Sequence, residues 1–331
     1  GMSHCRQAER TEKRKEKLLR KVNAERNFVS VARDWHRVKS PRWSDGHQQD
    51  VLKSLEVEIF PQIGSIPIDE ITSDLLRPVL DAVQSRGAYE SAKRLRQRCS
   101  AIFRYGKVLG FCDGDPADPL KEVLIAPTKK NLAAITWEEF PAFLTAINKY
   151  NAHPQTRLAV SLMMLTFVRT GELIGARWDE IDFDKRIWNI PASRMKRGRP
   201  HYIPLSAQAI EVLKELQEMT GQRKLLFPKR GAPRESMSNG TILRVIDRVG
   251  YKKRMTGHGF RSLASTALNE SGKFRPDAIE RQLSHEQDDD VRRAYNRAEY
   301  YQERVEMMQW WADQIDLIQS GEKIVSISSS R

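Results

Sequence analysis

Apolar residues recur three and four positions apart through most of the chain, the spacing that gives a helix one buried face. Four such stretches follow one another in the first part: FVSVARDWHRV, then HQQDVLKSLEVEIFPQI after Ser44, SDLLRPVLDAVQSR after Thr72, and YESAKRLRQRCSAIFRYGKVLG. They predict an all-helical domain of about four helices over 27–126, closed by the Pro and Asp punctuation of CDGDPADPL. IAPTKKNLAA beyond it reads as an exposed basic linker, at 127–134.

A second domain is expected over 135–318. It opens with a capping box, Thr136-Trp137-Glu138-Glu139, ahead of the apolar run FPAFLTAI. TRLAVSLMMLTFVRTGELIGARWDEID reads as an apolar helix, a Thr-Gly interruption and a second short helix. The pattern then changes: RIWNIPA and RPHYIPLS predict two strands flanking the basic hairpin loop SRMKRG. The remainder is helical again, in AQAIEVLKELQEM, NGTILRVIDRV, GHGFRSLASTALNE, PDAIERQLS, VRRAYNRAEY and ERVEMMQWWADQIDLI, followed by a loose tail over 319–331. The fold class is therefore mainly α with a small β-sheet. No internal repeat of 20–50 residues is visible. Ahead of the first domain, 1–26 is charged and helix-favouring but has little apolar periodicity, so it reads as a solvated helix or as a basic arm or linker. Gly1 before Met2 has the look of a residue left by a tag.

A length of 331 residues fits two domains, possibly three at the shortest usual size. Charge adds more. The 56 Lys and Arg against 43 Asp and Glu leave a net charge of +13, which favours a polyanionic partner such as nucleic acid, or else describes the solvated surface of an ordinary enzyme. No apolar run approaches a membrane span and the N-terminus is too charged for a signal peptide, so a cytoplasmic protein without a membrane partner is expected. Cys5, Cys99 and Cys112 lie far apart, which argues against a disulfide framework or a cysteine zinc site.

Motifs for nucleotide hydrolysis, dinucleotide binding and zinc proteolysis are absent. Asp288-Asp289-Asp290 cannot converge on one metal and reads as a solvated face or helix start. The second domain instead holds scattered basic and hydroxyl groups, each with an ordinary reading beside a chemical one. Arg169, at the end of an apolar helix, pairs with Glu172 or binds an anion. Lys196, at the hairpin tip, contacts phosphate, is solvated or donates a proton. His258 and Arg261 share one face of a helix start. His285 caps a helix end or joins the site, and Tyr295 anchors its helix or supplies a nucleophile. Taken together, two arginines can grip a phosphodiester, histidines and a lysine can move protons, and a tyrosine hydroxyl can attack phosphorus. Fixed cations would supply the charge stabilisation, so no cofactor or metal is called for.

In this order, LTFVRTGELIGARWDEID, MKRGRPHYIPLS, HGFRSLASTALNE and AYNRAEYYQERVEMMQWWAD resemble the tyrosine recombinases of the phage-integrase family, of the prophage and genomic-island type, from about residue 28 to about residue 315. The resemblance implies a helical core-binding, SAM-like domain and a mixed α/β catalytic domain that close as a clamp on double-stranded DNA. It implies that Arg169 and Arg261 clamp the scissile phosphate and that Lys196 protonates the leaving 5′ oxygen. His258 assists deprotonation of the nucleophile, His285 hydrogen-bonds the phosphate, Tyr295 attacks, and Glu172 supports; Tyr300 and Tyr301 are decoys. Lys93, Arg94, Arg96, Arg98, Arg197 and Arg199 are expected at the DNA, or else at the solvent face.

The implied activity is metal- and ATP-independent strand exchange through a 3′-phosphotyrosyl intermediate, integrating or excising a prophage or genomic island. A homotetramer on attachment core sites, DNA-bending and excisionase accessory proteins, and a nucleoid-associated location in bacterial cytoplasm go with it. The C-terminal helix docks either on a neighbour or on its own domain. Members usually carry a further arm-binding domain of about a hundred residues, and nothing here looks like one. Two other readings share the residues: a catalytically silent DNA-binding regulator and a relaxing topoisomerase of type IB character.

Overall fold

The computed structural model describes residues 26–126, 133–195, 198–284 and 300–321. The chain divides after Lys130 into two compact units, and each has its own core: one built only from residues between Phe28 and Leu120, the other only from residues between Ile135 and Ile318.

The first unit is helical: α1 (Phe28–Lys39), α2 (Asp45–Glu58), α3 (Phe60–Ile63), α4 (Ser73–Ser85) and α5 (Tyr89–Val108). Asn27 starts α1 by accepting the Ser30 N–H on Oδ1 at 2.9 Å. HQQDVLKSLEVEIFPQI is not one helix. It breaks at Ile59, and Pro61, lacking an N–H, sits in the first turn of α3 where none is needed. Phe28 meets Phe103 of α5 at 5.4 Å between ring centroids in the core, among buried Leu55, Leu76, Leu80 and Leu95.

The second unit opens with α6 (Phe140–Lys149), α7 (Pro154–Thr166) and α8 (Thr170–Ile174). Glu139 accepts the Thr136 N–H at 2.9 Å, as the capping box requires, although the helix proper begins only at Phe140. A three-stranded antiparallel sheet follows, β1 (Ile181–Asp182), β2 (Ile187–Ile190) and β3 (His201–Pro204), in the order β1-β2-β3. In β2, Trp188 and Ile190 are buried and Asn189 is exposed, the alternation read from the sequence. The β2–β3 register pairs Ile187 with Pro204 and Ile190 with His201, so the basic loop joins two paired strands as expected. Beyond lie α9 (Ala207–Thr220), a hairpin of β4 (Pro228–Lys229) and β5 (Ala232–Ser236), then α10 (Asn239–Ile246), α11 (Gly259–Glu270), α12 (Pro276–Gln282) and α13 (Tyr301–Ser320).

Three strands lack a sequence signal. β1 and β4 have only two residues each, and β5, APRES, is largely exposed with no alternating apolar face. Its hairpin turns at Gly231, whose φ of +80° suits a residue without a side chain. α13 packs on its own unit: Met307, Met308, Trp311 and Ile315 are buried, and Trp311 donates to the Met164 carbonyl at 2.8 Å while stacking on Phe140. It also runs to Ser320, two residues into the stretch read as tail, before ending at Gly321. Among the described residues, no helix is long and apolar enough to cross a membrane.

Candidate active site

The helix break after α7 places the first arginine. Phe167 ends α7 in the left-handed conformation (φ 38°, ψ 36°) and Arg169 is the N-cap of α8. Glu172, buried one turn into α8, takes the Arg169 backbone N–H on Oε2 at 3.0 Å and its guanidinium on Oε1 at 2.7 Å. One carboxylate thus caps the helix and orients the side chain. A second N–H of the guanidinium reaches the Ser284 carbonyl at 2.9 Å. Of five N–H donors, Arg169 therefore commits two, and about a third of its side chain stays exposed.

Arg261 comes from α11, one turn beyond His258, and is 2 % exposed. It donates to the Phe167 carbonyl at 2.8 Å and to the Leu283 carbonyl. Burial, followed by the neighbouring Arg169 charge, draws its pKa down to about 10, so it stays a cation near neutrality. Both guanidiniums therefore converge on one turn, Leu283–Ser284, at the end of α12. Carbonyls of Phe167 and Ser284 face them, and both residues have positive φ (38° and 50°) without being glycine. That conformation costs an L-residue about 1–2 kcal/mol and is retained where the surroundings impose it.

His258 is the exposed N-cap of α11. Gly257, just before it, lies against the start of α8: a Cβ there would lie 2.3 Å from Thr170 Oγ1 and 3.1 Å from Met163 Cε. Helix starts carrying Arg169 and His258 can meet only because that position has no side chain.

The same turn is braced from below by groups that pattern reading passed over. His201 of β3 is buried and donates Nε2–H to the Gln282 carbonyl at 3.1 Å. Burial, reinforced by Arg304 and Arg281, pulls its pKa down to about 3, leaving a neutral ring. Arg304 of α13 is fully buried; its Nε and Nη2 both reach Gln282 Oε1, at 2.9 and 2.8 Å, and Nη2 also reaches the Tyr202 carbonyl. A signal existed. Arg304 shares the stripe Arg304, Met307, Met308, Trp311, Ile315, and a charge in an apolar stripe must be satisfied inside the fold.

At the hairpin base, Arg194 is 13 % exposed and pairs with buried Glu180, which also accepts Trp188 Nε1 at 3.1 Å. Lys196 and Arg197 follow it and lie outside the described residues, as do His285 and Tyr295 and the whole of VRRAYNRAE. Arg199 is described and exposed. Tyr300 takes the left-handed conformation ahead of α13 with the Arg275 guanidinium 5.2 Å from its ring centre, and Tyr301 is half-buried.

The four α5 positions expected at the DNA do not act as one set. Lys93 is exposed, Arg94 is exposed but paired with Glu90 at 2.9 Å, Arg96 bonds the Ala117 carbonyl at 3.3 Å, and Arg98 turns to Ser54 of α2.

Comparison with known proteins agrees with this organisation. Residues 28–123 match the phage integrase central domain, and 134–302 match the phage integrase family. The integrase of Enterobacteria phage P4 is 42 % identical over 306 residues, 88 % of this chain and 69 % of that protein. Prophage integrase IntA of Escherichia coli K12 is 38 % identical over 316 residues, 95 % and 76 % of the two chains. A lambda integrase tetramer solved on a Holliday junction superposes with a TM-score of 0.62 at 20 % identity, covering 83 % of this chain and 80 % of that one.

Proposed function

The chain belongs to the phage integrase family and is a tyrosine site-specific recombinase of phage or prophage integration, and from that premise we propose that Arg169, Lys196, His258, Arg261, His285 and Tyr295 carry its strand exchange. The Tyr295 oxygen attacks the scissile phosphorus as its proton passes toward His258. The P–O5′ bond breaks as the tyrosyl O–P bond forms, and the departing 5′ oxygen takes a proton from Lys196. Arg169 and Arg261, with His285, neutralise the charge building on the non-bridging oxygens. The 5′ hydroxyl of a second duplex then reverses these steps, regenerating the tyrosine and conserving the phosphodiester count.

The observation that carries this reading is the convergence of Arg169 and Arg261 on the Leu283–Ser284 turn. Two cations held by neutral carbonyls, with Glu172 on Arg169, present positive charge suited to a phosphodiester. His285 follows that turn directly, and Tyr295 follows eleven positions after Ser284. The partner is double-stranded DNA carrying attachment core sites. Four copies acting on two duplexes fit the tetrameric state of the lambda relative, with bending and excisionase proteins as accessories on the bacterial nucleoid. Lys93, Arg94, Arg197 and Arg199 would add contacts to phosphates; Arg96 and Arg98 are better placed to shape the first unit.

The test is incubation in EDTA with nicked duplexes copied from the ends of the mobile element that encodes the chain. A covalent protein–DNA band on a denaturing gel, lost in Tyr295→Phe, is expected. Tight binding without an adduct would instead identify a silent DNA-binding regulator. An adduct formed equally on unrelated sequences would identify a relaxing topoisomerase.

A further inference from the structure

Arg194 joins two parts of the second unit that are far apart in sequence. It ends the short turn Ala192–Arg194 that follows β2, two positions before Lys196. Nη1 pairs with Glu180, whose carboxylate is 4 % exposed and also holds Trp188 of β2. Nη2 donates to the backbone carbonyl of Glu172, the residue whose carboxylate orients Arg169. Space for this guanidinium exists because residue 175 is glycine: a Cβ there would lie 2.9 Å from Arg194 Nη2. A planar fork can satisfy a carboxylate and a carbonyl together, whereas a lysine ammonium on a flexible stem fixes neither direction as well.

We infer that Arg194 is a positioning residue, which registers the loop carrying Lys196 against the α8 turn carrying Arg169. This rests on the assignment of Lys196 as the proton donor proposed above. A chain pinned two positions before Lys196 leaves from a fixed place beside the two arginines, and small misplacement of a proton donor slows the step it serves. Other charges here have different duties, since Glu172 orients Arg169 directly and Glu180 serves Arg194 and Trp188.

The chemistry offers a readout that a merely structural role would not move. With a 5′ oxygen leaving group, breaking P–O5′ requires a proton from the donor. With sulfur at that bridging position, the P–S bond breaks and the sulfur departs as a thiolate, which needs no proton. Adduct formation by the full chain is therefore measured in single turnover on paired nicked duplexes copied from the element ends, one with bridging oxygen and one with bridging sulfur. Arg194→Lys keeps a charge opposite Glu180, and Gly175→Ala keeps every charge while crowding Nη2. Thermal unfolding and duplex binding are recorded for both.

Arg194→Lys is expected to slow adduct formation about 10–100-fold on oxygen and to approach the parent rate on sulfur, with Gly175→Ala showing the same pattern more weakly. Lys196→Met, run alongside, is expected to be rescued by sulfur as well. If Lys196→Met is rescued while Arg194→Lys and Gly175→Ala are equally slow on both duplexes, or not slow at all, the inference fails and the role of Lys196 stands. If sulfur does not rescue Lys196→Met, the proton-donor assignment falls, and the inference with it.

Discussion

The arginines of the candidate site and the exposed basic residues of α5 are held in opposite ways. In the second unit Arg261 and Arg304 are buried and bonded to backbone carbonyls and an amide side chain, while Arg169 divides its donors between Glu172 and a carbonyl. On α5 of the first unit Lys93 is exposed, and Arg94 is exposed against Glu90. A carbonyl satisfies an N–H without cancelling the charge, so the second unit keeps positive potential at a fixed point. Exposed carboxylate pairs are nearly neutral locally and screened by salt, so α5 contributes a diffuse field instead. Fixed charge suits an anion that develops in a transition state; diffuse charge suits a long polyanion held in place.

The largest effect should come from removing the fixed charge. Arg261→Ala is expected to slow adduct formation about 10²–10³-fold, in line with losing one preorganised donor. It also leaves the Phe167 and Leu283 carbonyls without that partner, so thermal unfolding should fall too. Arg261→Lys, measured beside it, should recover stability more than rate, because a point charge cannot span both carbonyls. Equal recovery of both would break the distinction between a fixed charge and a merely present one.

Next comes the contact that lets two helix starts meet. Gly257→Ala is expected to destabilise by about 1–3 kcal/mol, the usual cost of overpacking, because its Cβ falls on Thr170 Oγ1. Adding Thr170→Ala removes the clashing atom and should return much of the loss, so a denaturation double-mutant cycle reads the coupling directly. An additive pair would show that the close approach is not what orders the site.

A pH-dependent effect, absent above pH 6.5, follows from His201. The unfolded chain takes up a proton near pH 6.5 that the folded chain refuses until about pH 3. The neutral ring's contribution is thus complete above pH 6.5 and is lost progressively as pH falls toward 3, by up to about 1.4 kcal/mol per pH unit. Denaturant midpoints of His201→Gln against pH should lack this one-proton slope. An unchanged slope would mean that the ring protonates within the fold.

The smallest effect lies on α5. Lys93→Ala should lower the salt dependence of duplex binding by about one phosphate contact. Arg96→Ala should leave that slope nearly unchanged and instead cost about 1 kcal/mol of stability through its lost bond to the Ala117 carbonyl. If both move the slope equally, the two units do not divide fixed and diffuse charge as argued.

Much of this molecule was legible as pattern. Apolar periodicity located most helices, because burying one face imposes a 3.6-residue repeat whatever the partner. Alternation marked β2 and β3, and the break at Thr170–Gly171 marked the turn that exposes Arg169. Their spacing of three placed His258 and Arg261 at one helix start, where they lie. Less visible were β1, β4 and β5, too short or too polar to repeat. The break at Ile59 also escaped notice, since Pro61 is compatible with a helix start as well as a helix end.

The candidate site divides the same way. The sequence by itself determined which residue types were available for the chemistry, and the carboxylate that pairs with Arg169 three positions away, because that contact is local. Only the tertiary structure decided which acceptors hold the arginines, since Phe167 and Leu283 present backbone carbonyls, a group every residue carries and no side chain advertises. It likewise decided that Arg304 lies buried against Gln282, and that Arg194 reaches Glu172 past the absent side chain of Gly175. Those contacts join segments 22 to 102 positions apart, and no periodic pattern encodes a bond between elements whose meeting depends on how the whole core packs.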